Sequence, residues 1–303
     1  MTKKEPVPDI LHRFIFDKSP VRGEYIHLQD TYNTILAQHD YPPSIKKLLG
    51  EALCVAGLLS AIIKFDGRLT VQFRGKGKLK LLLAQCDNDF HLRGLAKWDD
   101  ELSYDDLMDS FNDGVLAIML DGGPGKNRYQ GIVQWRGNSF VESIEGYFEY
   151  SEQLATRIWL SVGEHSAAGL LLQVLPGATK EEIAIENEVI VPCWERLIHL
   201  TEQLQPETLL KFDYQSLLRH LFPEEEIRVF PETPVSFECT CSRKRGADAI
   251  ELLGRKEAEE ELKDKQVIVV TCDFCNKEYV FDRVDVEKIF VDKESGDGHK
   301  HLH

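Results

Sequence analysis

The sequence reads Cys239-Thr240-Cys241 and, after a spacer of 30 residues, Cys272-Asp273-Phe274-Cys275. A spacer of this length allows one cysteine pair to fold back onto the other, so that four thiolates meet around one ion. Tetrahedral sulfur coordination is typical of structural zinc. The spacing therefore predicts a site for one zinc ion, with Cys239, Cys241, Cys272 and Cys275 as its ligands.

The second pair lies in a sequence context that predicts a hairpin turn. A β-branched run precedes it at residues 267–270, and a second strand-like run follows at 279–281. This is how a zinc knuckle presents its cysteines. A thioredoxin-type pair would instead open a helix, whose N-terminus lowers the thiol pKa. Because no helical pattern begins at Asp273, the sequence argues against a disulfide oxidoreductase.

The first pair has a single intervening residue, so its sulfurs can bridge directly if the local backbone bends. From the residues alone, both pairs can hold zinc or close into disulfides. Structural zinc contributes about 10–16 kcal/mol to folding, whereas a disulfide across so short a loop contributes roughly 2 kcal/mol. A purely structural metal is one interpretation. A redox switch is the other, since oxidation of all four thiolates would unfold the module.

Composition restricts the classes of protein and partner. The chain has 303 residues, a hydrophobic content of 43% and a formal net charge of −15, which predicts a globular protein of one to three domains. The negative charge repels phosphate backbones and argues against nucleic acid as the main partner. No stretch has the length and apolar character of a membrane span. Seven cysteines without a secretory signal indicate the cytoplasm.

Residues 1–178 are predicted to form an α+β domain in which an antiparallel sheet packs against helices. A strand at 11–16 comes first, and a last strand at 169–175 ends at Pro176-Gly177, the predicted domain boundary. Between them we expect a meandering sheet and three helices. The predicted sheet strands are 70–74, 79–85, 90–96, 115–120 and 129–134, and the predicted helices are 28–39, 44–64 and 150–162.

No catalytic or cofactor-binding residue is predicted in this domain. The runs Gly75-Lys76-Gly77-Lys78 and Gly122-Gly123-Pro124-Gly125-Lys126 lack the Gly-Lys-Ser/Thr ending of a phosphate loop, and neither opens a helix. His165-Ser166 lacks the Gly-x-Ser-x-Gly elbow of serine hydrolases. The remaining cysteines, Cys54, Cys86 and Cys193, are interpreted as packed thiols. We therefore do not expect an enzyme.

Three further segments follow. Residues 179–230 carry 5 Lys and Arg against 11 Asp and Glu and predict a linker of short amphipathic helices separated by prolines, with Asp213 capping one of them. Such helices are marginal alone and depend on docking their apolar faces, so we expect the linker to fold conditionally. Residues 231–291 are the predicted zinc module. The histidine-bearing end, 292–303, predicts a disordered tail.

Four motifs extend beyond the cysteine spacing: Phe237-Glu238-Cys239-Thr240-Cys241-Ser242-Arg243, Cys272-Asp273-Phe274-Cys275 with Tyr279 and Phe281, Tyr129-Gln130-Gly131-Ile132-Val133, and Leu170-Leu171-Leu172-Gln173 with Leu175-Pro176-Gly177. In these motifs the sequence resembles the 33 kDa chaperonins, the redox-regulated heat-shock chaperone family (heat shock protein 33). The resemblance covers about residues 11–291 and includes all four cysteines of the two pairs.

The resemblance implies a cytosolic, ATP-independent holdase that binds unfolding client proteins under oxidative and heat stress. In that family the reduced, zinc-bound form is inactive. Oxidation expels the zinc and joins neighbouring cysteines, which here implies the disulfides Cys239–Cys241 and Cys272–Cys275. The linker and the zinc module then unfold, and the active form is a homodimer. In this interpretation the four cysteines act as sensor and switch, and no residue acts as a catalyst.

The competing interpretation is a zinc-ribbon protein that binds RNA or a ribosome, with a purely structural metal. Its best support is the basic triplet Arg243-Lys244-Arg245 directly after the first cysteine pair. The alternative explanation of the triplet is a solvated turn, which the acidic balance of the whole chain favours.

Overall fold

The computed structural model describes residues 9–99, 102–112, 114–123, 128–135, 139–176 and 193–296. Contacts divide the chain into two compact units, Met1–Glu238 and Cys239–His303. Both units mix helices with sheets whose strands pair almost entirely antiparallel, so the predicted α+β class is confirmed. Among the described helices, none combines the length and apolar character that crossing a membrane requires.

The first unit contains two sheets. In the first sheet the strand order is β10-β1-β2-β9-β8, and β11 also pairs with β1. The second sheet has the order β12-β5-β4-β3-β6-β7. The strands are β1 (Ile10–Phe16), β2 (Val21–Leu28), β3 (Arg68–Arg74), β4 (Leu79–Asp87), β5 (His91–Trp98), β6 (Val115–Asp121), β7 (Arg128–Val133), β8 (Thr156–Val162), β9 (Ala167–Val174), β10 (Ile227–Val229), β11 (Thr233–Pro234) and β12 (Ser236–Phe237).

Helix α2 lies against strands of both sheets and forms the centre of the unit. Its residues are buried on nearly every side, which is the pattern of a core helix and not of a surface helix. The sequence prediction of a helix over 44–64 is confirmed. The helices of the first unit are α1 (Asp30–Leu36), α2 (Pro43–Ile62), α3 (Tyr104–Asn112), α4 (Phe140–Tyr147), α5 (193–202), α6 (Pro206–Lys211) and α7 (Tyr214–Leu221).

The five strands predicted for the second sheet are all present, but the predicted meander is wrong at one connection. After β5 the chain passes through α3, and β6 then pairs with β3 in place of β5. In the described residues, α3 is the element between β5 and β6, and it carries the chain to the far side of β3. The acidic start of this helix gave no apolar periodicity, so the crossover was not predicted.

The helix predicted over 150–162 is also wrong. The structure places α4 earlier, continues it as a π-helical turn at Phe148–Glu152, and makes Thr156–Val162 the strand β8. Gln153 ends the helical segment in the left-handed conformation, with φ of 56°. The apolar residues that suggested a helix are spaced by four, a spacing that also keeps side chains on one face of a strand.

The first sheet is covered on both faces. One face packs on α2. The other is covered by α5, α6 and α7, whose buried Leu197, Leu209 and Leu217 pack with Phe14 and Phe16 of the sheet. Asp213 accepts a hydrogen bond from the Ser216 backbone amide, which confirms the predicted helix cap.

Part of the predicted organisation falls outside the described residues or differs in position. The acidic beginning of the linker and most of the tail are not described. In the residues that are, the second compact unit begins at Cys239, whereas the module was predicted from residue 231. The intervening β11 and β12 pair with β1 and β5 of the first unit. Helix α10 continues to Gly296, within the predicted tail. The domain boundaries stay predictions.

Glu24 is a buried carboxyl in β2, and it predicts a pH dependence of stability. Burial raises the pKa of Glu24 to about 8, against the opposing effect of Arg22 and Arg13. Between about pH 4.5 and 8 the folded state therefore holds a proton that the unfolded state has lost, so stability falls as pH rises through this window. Glu24→Gln is expected to remove most of this fall, on the order of a few kcal/mol.

The measurement is urea denaturation of both proteins across this pH range, followed by tryptophan fluorescence. All four tryptophans lie in the first unit, so the signal reports on that unit. The exposed Glu224→Gln serves as the control and should keep the wild-type slope. Parallel pH profiles for wild type and Glu24→Gln would contradict the prediction.

Candidate metal centre

The second unit is small, and its apolar core is correspondingly limited. Two helices, α8 (Arg243–Leu253) and α9 (Arg255–Lys265), fill the spacer between the cysteine pairs, and they were not predicted. The hairpin of β13 (Val267–Thr271) and β14 (Glu278–Asp282) follows, and α10 (Arg283–Gly296) completes the unit. Among the described residues of this unit, the buried apolar core consists of Ile250, Ala258, Leu262, Ile268, Phe281 and Val286.

Each cysteine pair is presented by a tightly defined backbone. Cys241 directly precedes Ser242, which caps α8 by accepting a hydrogen bond from the Arg245 amide at 3.2 Å. Cys272 and Cys275 lie in the turn between β13 and β14, as predicted. The Cys272 amide donates to the Lys277 carbonyl at 3.0 Å, and Asn276 adopts φ of 52° to close the turn.

The fold brings the four predicted ligands together. Each of the four sulfurs lies within 4.8 Å of the others. Cys239 Sγ is 3.6 Å from Cys272 Sγ, and Cys241 Sγ is 3.5 Å from Cys275 Sγ. In a tetrahedral site with zinc–sulfur bonds of about 2.3 Å, neighbouring sulfurs are about 3.8 Å apart. The arrangement therefore fits four-sulfur metal coordination, and the cluster can hold a metal ion.

The four thiols are not equivalent. Burial acts to raise the pKa of Cys241, but the Tyr279 hydroxyl, 3.2 Å from its sulfur, and the neighbouring cysteines outweigh burial and lower that pKa to about 7. Burial and the other sulfurs raise the pKa of Cys275 to about 12, and burial raises the pKa of Cys239. Cys241 is therefore placed to carry thiolate character first. The sequence indicated Tyr279 as a strand residue and as part of the family motif, but not as a partner of a cysteine.

The basic triplet that supported RNA binding has structural partners. The Arg243 guanidinium donates to the Asp285 carboxylate and to the Val280 carbonyl, both at 2.7 Å, and it lies over the Phe281 ring. The Arg245 guanidinium donates to the Thr240 hydroxyl at 2.6 Å. These contacts tie α8 to the hairpin, to α10 and to the first cysteine pair, so the structure gives Arg243 and Arg245 of the triplet a role within the unit.

A second group of potential metal ligands occurs at the turn between β4 and β5. Asp87, Asp89 and His91 place one ligand atom each within 4.8 Å of one another. The Asp87 carboxylate accepts hydrogen bonds from the backbone amides of Asp89 and His91 at 3.0 Å. These bonds explain the cluster as the closure of a turn.

Comparison with known proteins assigns the chain to a family. A sequence model described as "Hsp33 protein" matches residues 9–282. The chain belongs to the Hsp33 family. Hsp33 proteins are chaperones and not enzymes, in agreement with the sequence prediction.

Two Hsp33 relatives are named "33 kDa chaperonin". The protein from Nitrosococcus oceani is 41% identical over 285 residues, covering 94% of this chain and 95% of the relative. The protein from Pseudomonas savastanoi pv. phaseolicola is 42% identical over 289 residues, with coverage of 94% and 95%. The Hsp33 fold also matches the crystal structure of a 33 kDa chaperonin (heat shock protein 33 homolog) from Thermotoga maritima, with a TM-score of 0.77, 20% identity, and coverage of 95% of this chain and 99% of that one.

The Tyr279 hydroxyl is expected to set the acidity of Cys241. Tyr279→Phe removes a hydrogen bond that stabilises the thiolate, so the pKa of Cys241 should rise from about 7 towards that of an ordinary thiol. In metal-free, reduced protein whose β13–β14 hairpin is shown by hydrogen exchange to be folded, the pH dependence of Cys241 alkylation, followed by peptide mass spectrometry, measures this shift. Val280→Ala, an exposed neighbour on the same strand, is the control. An unchanged Cys241 profile in Tyr279→Phe would contradict the assignment.

Proposed function

We propose that this chaperone is a redox-regulated, ATP-independent holdase that binds unfolding proteins and prevents their aggregation. In the reduced state Cys239, Cys241, Cys272 and Cys275 hold one zinc ion, and client binding is suppressed. The observation that carries the proposal is the convergence of four cysteine sulfurs within 4.8 Å in a unit with only a small apolar core. Membership of the Hsp33 family supports the same reading.

The donor set favours zinc. Four thiolates in a tetrahedral arrangement suit zinc or iron, and zinc is the ion that such sites use structurally. When bound, the ion cross-links the segment before α8 to the hairpin and supplies folding free energy that the small core lacks. Without the ion, the four sulfurs lose the coordination that joins the two ends of the spacer.

Oxidation provides the switch. Each cysteine pair gives two electrons to one molecule of peroxide, which takes up two protons from solvent and is reduced to two molecules of water, and one disulfide forms per pair. We propose the pairings Cys239–Cys241 and Cys272–Cys275, which the family resemblance supports. Because each of these disulfides closes only a local loop, neither links the two halves of the unit. Bonds between Cys239 and Cys272 or between Cys241 and Cys275 would instead keep those halves together.

The apolar surface proposed to meet clients is the covered face of the first sheet and the helices that cover it. Phe14, Phe16 and Leu170 on the sheet are buried beneath α5, α6 and α7. We propose that this helical linker leaves the sheet when the zinc unit unfolds, so that both apolar faces become available to clients. A homodimeric active form and action in the cytosol, without nucleic acid, complete the proposal on the basis of the family resemblance.

Peroxide treatment tests the proposal directly. We expect zinc release, loss of four free thiols and suppression of client aggregation to rise together, because all three follow from oxidation of the same sulfurs. Zinc is measured with a chromogenic chelator, thiols by alkylation and mass spectrometry, and client aggregation by light scattering. A variant with all four of these cysteines changed to serine should show no response to peroxide.

Disulfide mapping of the same samples distinguishes a redox switch from a purely structural metal site. Peptides joined within each pair, together with protease sensitivity of the second unit, are expected. Full holdase activity of the reduced, zinc-loaded protein would overturn the redox mechanism, and so would oxidised protein that contains only disulfides between the pairs.

The covering helices offer a second test that needs no oxidant. Leu217 of α7 is fully buried against the sheet, and Leu217→Ala should weaken this packing by about 2–5 kcal/mol. We expect partial holdase activity in the reduced protein with its zinc retained. Arg219→Gln, an exposed change on the same helix, should behave as wild type. Hydrogen exchange that shows α7 released from the sheet, without any gain in client binding, would count against this surface.

A further inference from the structure

The first unit contains a cavity whose lining residues take no part in the proposed chaperone mechanism. It has a volume of about 330 Å³, which is within the size range of small-molecule sites. Its walls come from the end of α2, from β6 and β7, from the π-helical turn and from the ends of β2 and β9. The apolar part of the lining includes Ile62, Ile63, Ile118, Leu120, Phe148 and Leu154.

One end of the cavity carries a cationic side chain that is held in place. The Nη2 atom of Arg22 donates to the Gln173 side-chain oxygen and to the Ile62 carbonyl, the latter at 3.3 Å. Gln173 is fully buried, and its amide donates to the Thr156 hydroxyl at 2.7 Å. The Nε atom of Arg22 is buried without an acceptor. The guanidinium is therefore positioned, yet its hydrogen-bonding capacity is not used up.

Among the residues that the structure describes, none forms an ion pair with the Arg22 guanidinium. The carboxyl that acts on it is Glu24, two residues along the same strand. Burial raises the pKa of Glu24 to about 8, so this group is mostly protonated at pH 7. Burial lowers the pKa of Arg22, but an arginine side chain stays charged. A partly buried cation beside an apolar cavity is an environment in which an anion gains free energy by binding.

Another part of the wall disfavours an anion. The Tyr129 and Tyr147 hydroxyls lie 2.7 Å apart, and the Tyr147 hydroxyl donates to the Glu152 carboxylate at 2.7 Å. All three residues line the cavity. The Glu152 carboxylate repels any carboxylate of a ligand that lies close to it. A ligand in this cavity would therefore place its negative group at Arg22 and an uncharged part near Glu152.

We propose that this cavity binds a small molecule with an aliphatic body and a single carboxylate, as in a medium-chain fatty acid. The carboxylate pairs with the Arg22 guanidinium, and the aliphatic chain packs against the apolar lining. The inference does not depend on the redox mechanism, because neither the cysteines nor the covering helices take part.

Titration of the reduced, zinc-loaded full-length protein with sodium decanoate, followed by calorimetry, tests the proposal. Decan-1-ol and decyltrimethylammonium have the same chain with a neutral and a cationic head. We expect a single saturable site for decanoate, at least about tenfold tighter than for either comparator, because the charged hydrogen bond to Arg22 is lost in both. Equal affinities for all three, or no saturable binding of decanoate, would overturn the proposal.

Variants locate the site. Arg22→Met keeps the aliphatic stem and should weaken decanoate binding at least about tenfold, with decanol binding unchanged. Leu120→Trp should fill the cavity and weaken both, whereas Val115→Trp, exposed on the same strand, should weaken neither. Thermal melting establishes that each variant is folded, and Leu120→Trp decides the matter if Arg22→Met is not. Unchanged decanoate binding in Leu120→Trp, or displacement of decanoate by an unfolded client protein, would refute the assignment.

Discussion

The second unit depends on the approach of four cysteine sulfurs that come from opposite ends of a long spacer. Six buried apolar residues form its core, and a core of this size supplies little free energy beyond the conformational entropy that folding costs. Local devices support the geometry: the Ser242 cap fixes the backbone next to Cys241, and the hairpin fixes Cys272 and Cys275. These local features orient the sulfurs, and a metal ion coordinated by all four would link the two ends of the spacer. In the proposed mechanism, the stability of this unit is therefore tied to the chemical state of its thiols.

The first unit has a different basis for stability. Its core extends between two sheets around a helix that is buried on nearly all sides, and large cores of this kind need no metal or disulfide. The contrast gives the two units separate roles in the proposed mechanism. In that mechanism one unit would remain folded as a scaffold, while the other would respond to oxidants. The helices α5, α6 and α7 are short and depend on their contact with the first sheet, so they form the element that can change state at modest cost.

The sequence predicts much of this arrangement because the decisive signals are local. Cysteine spacing identified all four sulfurs that the structure brings together, and alternation identified β3 to β7. Strand β2 was missed because it is buried along almost its whole length and shows no alternation. The helix expected over 150–162 failed because Leu154, Ile158 and Val162 fit both a helix face and a strand face. The cavity beside Arg22 depends on tertiary contacts between distant segments, and no spacing in the sequence indicates it.

The two short strands that follow the covering helices have a consequence of their own. Both β10 and β11 pair with β1 and so occupy its outer side, with Phe14 opposite Val229 and Leu11 opposite Thr233. They protect the backbone amides and carbonyls of β1 from pairing with another chain. If this segment left the sheet, the edge of β1 would be exposed as well as an apolar face of the sheet. An extended polypeptide can pair with such an edge as an additional strand through main-chain hydrogen bonds, which do not depend on side-chain identity. A surface of this kind would recognise the unfolded backbone itself.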